Sequence, residues 1–386
     1  MQRNFFLFFC NVRCHVKKLR IFITLLLLIF AFASCSGEKT SILPDVQTDV
    51  DESTDVSDLT PPEENEEIVE LPEIDPTKTE ISLTTGLPCT PDEKNERPVA
   101  VMINNIAVSH PQFSVSDADI IYECDAEGGI TRLMGIFSNW KNLDVIGSIR
   151  SARDYFVSIA EGHDAIYVHA GGSDGAYEEI IYDDVDNIDG VNMYTIPEST
   201  FYRDKDRIKN CGYEHSMMTT GSKLEKAVEV LKYRTQYKSG FESGLNFNKD
   251  ALLGEGEKAE EIEIQHSSYI TVKFTYDKET NKYLKYSYSK PHVDGKNDMQ
   301  LTFDNVIVIF VSEKVLDSAG RLDVGIIGEG TGYYFANSLC YDITWSKKSD
   351  TSPIIYYIDG TPLELLPGKT HVTLFNKKYS YNVTKK

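Results

Sequence analysis

From Pro98 onward the chain consists largely of short apolar runs rich in Val, Ile, Tyr and Phe, each closed by Gly, Asp, Asn or Pro. Runs of this length and composition fit strands of a packed sheet better than helices of a bundle. RPVAVMINN predicts a strand over 98–104, DADIIYECDA one over 117–126, and ITRLMGIFS one over 130–138. NLDVIGSIRSARDYFVSIAEGH predicts a strand ending near Ile149, then a helix with Tyr155, Phe156, Ile159 and Ala160 on one face. AIYVHAGG (165–172) predicts a strand running into a Gly-rich turn. Ser173 is placed to cap the helix that follows, and Thr219 or Thr220 to cap a later amphipathic helix in MTTGSKLEKAVEVLKY. Strands that alternate with helices imply an α/β layer.

From about Ile262 the texture changes. SYITVKFTYD and KYLKYSYS alternate around KETN, and IIYYID and PLELL flank Asp359-Gly360, both hairpin signals. The expected architecture is a layered α/β N-terminal domain (81–235, with its first regular element near Asn95), a junction (236–261) and a mostly β C-terminal domain (262–386). At 41% hydrophobic and 11% aromatic residues the chain can fill such a core.

The N-terminus is not fold material. Residues 1–34 carry Arg3, Arg13, Lys17, Lys18 and Arg20, no acid, and an apolar run from Leu19 to Phe32. This is the pattern of a secretory signal, and the run is shorter than a membrane span prefers. Phe32-Ala33-Ser34-Cys35 reads as a lipobox. Cys35 is therefore the expected lipidation site, holding the chain to the outer face of a membrane; an uncleaved N-terminal helix is the competing reading. Residues 36–80 hold fifteen acids against Lys39 and Lys78, with five prolines and no hydrophobic period, so 35–80 is expected to be a disordered acidic tether. The formal net charge of −21 argues against a nucleic-acid partner. Cys89, Cys124, Cys211 and Cys340 match no metal motif; mostly free thiols are expected, with one disulfide open.

Four groups of polar residues could carry chemistry. Arg150 and Arg153 sit where a strand gives way to a helix, a place suited to phosphate or carboxylate. They could equally pair with Asp154, Glu127 or Asp119 as structural ion pairs. Glu127-Gly-Gly-Ile-Thr-Arg132 would hold its carboxylate and guanidinium at a sheet rim, or merely form a hairpin salt bridge. His169 stands at a strand's carboxyl end, where it is a candidate general base or a histidine satisfied by hydrogen bonds. His215 and Pro291-His292-Val293-Asp294 offer ligand-type atoms but no third ligand, so no metal site is expected. No His-Glu-x-x-His or Cys-x-x-Cys is present, which removes the standard zincin and redox readings.

EGGITRLMGIF (127–137), IGSIRSARDYF (146–156), YVHAGGS (167–173), FYRDKDR (201–207), SKPHVDG (289–295), GEGTGYYFAN (328–337) and LLPGKTHV (365–372) together resemble the YerB-like lipoprotein family, over roughly Leu83–Phe375. The resemblance implies a layered α/β fold and a lipid-anchored extracytoplasmic location, and it names no reaction. A shorter resemblance, through SDADII, SIRSARDY and HAGGSDGAYEEI, is to LytR-type envelope phosphotransferases. It implies Mg²⁺ on Asp119, a lipid pyrophosphate on Arg150 and Arg153, and a deep apolar groove beside them. The functional expectation is a module that binds a cell-envelope protein or polymer, with tyrosines of the β half as contacts. A phosphotransferase-like envelope enzyme and a solute-binding lipoprotein are the alternatives; the two halves differ in texture, unlike the paired lobes of solute binders.

Overall fold

The computed structural model describes residues 75–251 and 255–386; the signal segment, Cys35 and most of the acidic tether lie outside them. Its organising element is a 13-stranded mixed sheet. From one edge the main path runs Thr361–Pro362, Ile355–Ile358, Leu339–Lys347, Gly328–Ala336, Asn305–Val315, Thr370–Asn376, Ile120–Asp125, Thr131–Phe137, Val99–Asn104, Ile166–His169 and Asn187–Asp189. Strands of both sequence halves meet in the middle of it. Thr370–Asn376 lies parallel to Asn305–Val315 on one side and to Ile120–Asp125 on the other, with Thr370 opposite Ile120 and Leu374 opposite Cys124. The architecture is α/β, with strands and helices alternating through the N-terminal region and strands dominating the C-terminal region.

The central strands are covered on both faces, which is why they read as continuous apolar runs. The period of two divides each strand between two cores. Val99, Val101, Ile103, Val306 and Val308 face one core, together with Leu224, Ala227 and Val228 of the Gly221–Leu231 helix. A second, six-stranded sheet closes that side with Ile262, Ile264, Val272, Phe274 and Phe303. Ala100, Met102, Ile307 and Ile309 face the other core, under the helices Asp154–Gly162 and Asp174–Tyr182. Ser173 caps the second of these helices through Ala176 N at 3.2 Å, and Thr220 caps the Gly221–Leu231 helix.

Three expectations change. Regular structure starts before Asn95, because Glu80–Ile81 pairs with Pro88–Cys89 and Thr84 is buried. The strand foreseen up to Ile149 shrinks to Ile146–Gly147, since residues 148–153 turn away to make separate backbone contacts with Met102, Met217 and Gly171. Among the described residues, strands from both halves share one sheet, so 236–261 connects halves of a common sheet and paired lobes are not seen. As expected for most of them, Cys89, Cys124, Cys211 and Cys340 are free thiols, and the disulfide left open is not formed among them.

One feature of the core is expensive. Glu123, on the strand face turned to the second sheet, is fully buried, as are Lys285 and His371. Lys285 Nζ lies 2.8 Å and His371 Nε2 3.2 Å from Glu123 Oε2. Asn105 Nδ2 and the Thr131 hydroxyl donate to Oε1 at 3.0 and 2.7 Å. Burial alone would raise this carboxyl; Lys285 and the hydrogen bond from His371 more than reverse that and hold it well below the usual range. Desolvated charges survive only when paired, and removing one partner typically costs about 3–5 kcal/mol. Lys285→Met should therefore destabilise the fold by about that amount in urea titration, and adding Glu123→Gln should restore part of the loss.

His163 offers a pH test. It is buried with Nε2 2.7 Å from Tyr122 OH, and burial, aided by Lys347, pushes it down to about 4 from 6.5. Between those values the unfolded chain takes up a proton at this site and the folded chain does not, so the contribution is lost as pH falls. His163→Gln should flatten the fall in stability between pH 6.5 and about 4 by up to one proton, measured by urea titration across that range.

Candidate functional site

Parallel strands of an α/β sheet present their carboxyl ends along one edge, where ligands commonly bind. Here Val99–Asn104, Ile120–Asp125, Ile166–His169 and Asn187–Asp189 end together, and the antiparallel Thr131–Phe137 begins at the same edge, Arg132 opposite Asn104 and Cys124. The foreseen polar residues distribute along this edge in three neighbouring groups.

The first group joins Glu127, Arg132 and Arg153. Glu127–Gly129 form a single turn in which Gly128 and Gly129 take φ of 72° and 69°, a conformation that favours glycine. The turn sets Glu127 between two guanidiniums: Arg153 Nε donates to Oε1 at 2.5 Å and Arg132 Nη2 to Oε2 at 3.5 Å. Arg132 also donates to Ser151 O at 3.0 Å and Arg153 to its neighbour Ala152 O. Burial disfavours the Glu127 carboxylate, but Arg153 and Arg132 hold it below its ordinary value. Arg132 is pushed down to about 10, first by burial and then by Arg153. Arg153 occupies the N-cap position of the Asp154–Gly162 helix without a side-chain cap bond.

The second group is Arg150, Glu214, His215 and Asn104. Arg150 reaches Glu214 O and Oε2 at 3.3 and 3.4 Å, and Asn104 Nδ2 lies 2.7 Å from His215 Nδ1. Burial, reinforced by Arg150, lowers His215.

The third group surrounds Asp189. His169 is fully buried and both ring nitrogens are engaged, Nδ1 at 2.9 Å from Gly171 O and Nε2 at 3.2 Å from Asn187 Oδ1. In this state it has neither the exposure nor the free nitrogen of a general base. Asp189 accepts from Gly171 N, Val191 N and Tyr177 OH, which with His169 hold its carboxyl low against the effect of burial.

Two foreseen residues lie elsewhere. Asp119 precedes Ile120 at the opposite end of its strand, on the order of 15 Å from the arginines at ~3.3 Å per residue. It accepts from Thr84 Oγ1 and Ser138 N, and burial raises its carboxyl in spite of those bonds. The Mg²⁺ site beside Arg150 and Arg153 implied by the phosphotransferase resemblance is thus not assembled. His292 is buried between Gln112 and Ser287, and Asp294 is consumed by the Ser114, Ser116 and Lys296 donors, a structural bend in place of a ligand pair.

Sequence reasoning missed an opening at this edge. A groove of about 630 Å³ is lined by Asp189, Val191, Met193, Tyr194, Ile196, Phe201, Tyr202, Arg203 and Tyr213, among others. Tyr194 is 90% and Tyr213 63% exposed. The Arg203 guanidinium lies 4.2 Å from the centre of the Tyr213 ring and donates to Tyr213 O. The groove adjoins the second group, because Tyr213 precedes Glu214, the partner of Arg150. Its lining comes mostly from the 190–203 segment, which has no period, only a Pro and clustered aromatics. In the β half, where contact tyrosines were expected, Tyr283, Tyr334, Tyr341 and Tyr356 are buried, while Tyr269, Tyr379 and Tyr381 are exposed. Among the described residues no helix is long and apolar enough to cross a membrane.

A sheet that takes its central strands from both halves, with a polar edge at the carboxyl ends of its parallel strands, defines the class of protein: a mixed α/β protein with a two-part sequence and a shared core. The chain belongs to the DUF3048 family: residues 84–234 match "Protein of unknown function (DUF3048) N-terminal domain" and residues 261–372 its C-terminal domain. It is 28% identical over 301 residues to "Putative lipoprotein YerB" of Bacillus subtilis, covering 75% of this chain and 84% of that one. It is also similar to the crystal structure of the YerB protein from Bacillus subtilis, with TM-score 0.70, 26% identity, and coverage of 80% of this chain and 99% of that chain.

Proposed function

We propose that this protein is an extracytoplasmic lipoprotein, anchored through Cys35, that binds a cell-envelope polymer in the Asp189–Tyr213 groove. Similarity to a Bacillus subtilis protein named as a lipoprotein supports this reading, and the lipobox at Cys35 supplies the anchor. The observation that carries the binding reading is the groove itself. It is open, it runs beside a strand-end polar edge, and its walls combine exposed tyrosine faces with Arg203 and Asp189. Tyrosine offers a flat apolar face and a polar tip at low entropic cost, which suits a chain of repeating polar units. A polymer fits better than a small solute because the aromatic rings flank the opening and do not enclose it.

The test is co-sedimentation of the full chain with isolated cell-wall material. Tyr194→Ala with Tyr213→Ala should reduce retention by roughly tenfold with unchanged thermal stability, since both rings are exposed. Equal retention of the variant would overturn the groove reading.

A further inference from the structure

We propose that the Glu127–Arg132–Arg153 cluster is a phosphodiester subsite, and that the polymer taken by the groove is phosphodiester-linked. The inference rests on the groove reading and adds the chemistry of the ligand. Three observations lead to it.

The first is charge. Two guanidiniums share one contacting carboxylate, which leaves an excess of one positive charge over direct partners on side chains that are 5% (Arg132), 11% (Arg153) and 20% (Glu127) exposed, with Asp154 acting on Arg153 only from beyond ion-pair contact. Arg150 adds a further cation nearby, and its partner Glu214 is 74% exposed. Uncompensated buried charge is costly, and in a chain of net charge −21 it is not a product of general composition.

The second is unused donors. Arg132 commits two N–H groups, to Ser151 O and Glu127, and Arg153 commits two, to Glu127 and Ala152 O. The remaining donors of both planar forks have no acceptor among the described residues. Arg132 holds Glu127 only at 3.5 Å, the weakest contact of the set. A carboxylate-sized seat is already filled by Glu127. A phosphodiester brings a tetrahedral set of oxygens that can accept from two forks at different angles, and its single charge equals the excess.

The third is position. The cluster sits at the start of the Asp154–Gly162 helix, with Arg153 at its N-cap position and the Asp154 carboxylate beside the first N–H groups. A Cβ placed on Gly128 meets nothing within 4 Å, so the turn carrying Glu127 borders open space. Ser151, whose carbonyl holds Arg132, and Val191 of the groove both approach Gly171, at 3.9 and 3.8 Å from its ideal Cβ. A chain lying in the groove therefore passes within one repeat of the arginines.

The experiment measures binding of the full chain to a soluble glycerol-phosphate oligomer by calorimetry, with wild type, Arg153→Gln, Arg132→Gln and Glu127→Gln. Arg153→Gln and Arg132→Gln should weaken binding roughly ten- to hundredfold. Glu127→Gln removes the competing carboxylate and should tighten it by roughly tenfold. Because a merely structural cluster would lose stability in all three variants and gain affinity in none, this opposite sign keeps the test decisive even where Arg132→Gln unfolds. Absence of oligomer binding by folded Glu127→Gln overturns the proposal. Glycerophosphoglycerol, the soluble headgroup of an anionic lipid, probes the other source of the same chemistry. It should bind more weakly than the oligomer and ignore Tyr213→Ala; equal affinity would assign the arginines to lipid and overturn the polymer. Wall material stripped of its phosphodiesters separates the two readings. Loss of Tyr-dependent retention supports the subsite, whereas unchanged Tyr-dependent retention leaves the groove reading standing and overturns the phosphodiester.

Discussion

The structure depends on one strand. Thr370–Asn376 is inserted in parallel between Asn305–Val315 and Ile120–Asp125, hydrogen-bonded to both along most of its length. Without it the two halves would each expose a sheet edge in the middle of an apolar core, which neither could leave unpaired in water. The strand also carries His371 to Glu123, and the neighbouring sheet carries Lys285 to the same carboxylate. The buried ion pair adds little net stability over an apolar substitute. It does penalise any slip of register, because a shift by one residue would leave a charge buried and alone.

Fixing that pairing fixes the edge on which the site stands. Arg132 is the second residue of the strand beside Ile120–Asp125, Glu127 follows the end of Ile120–Asp125, and Asn104 pairs with Arg132 on the adjacent strand. The groove is less rigidly held. Its walls come from connections and from short strands such as Tyr202–Arg203, paired to Met217–Thr219. A rigid charged rim beside an adaptable aromatic wall is a sensible division of labour for a polymer binder, because loops adjust to repeats while the strand ends set the register of charge.

The sequence made much of this legible. Apolar runs located the central strands, alternation located the hairpins around 278–281 and 359–360, and Ser173 and Thr220 announced their caps. The Arg150, Arg153, Glu127 and Arg132 blocks were visible because isolated charges interrupt apolar runs. Three things were not read. Two halves of different texture suggested separate domains, since pairing between strands some 250 residues apart leaves no local mark. Lys285 sits on the inward phase of an alternating strand and Glu123 within an apolar run, but an inward charge shows its worth only when its partner is placed. The groove tyrosines lie in segments without period, where side-chain exposure follows from the tertiary path.

The central claim is that the carboxyl edge of the sheet, groove and arginines together, meets an envelope polymer. Hydrogen–deuterium exchange of the full chain with and without isolated wall polymer tests it most directly, since loop amides exchange by local opening. The account predicts slowed exchange in 189–203 and 213–217, extending to 127–132 and 150–153, with the second sheet unchanged. Protection confined to the second sheet or to the Thr361–Pro362 edge, with 189–217 unaffected, would contradict it.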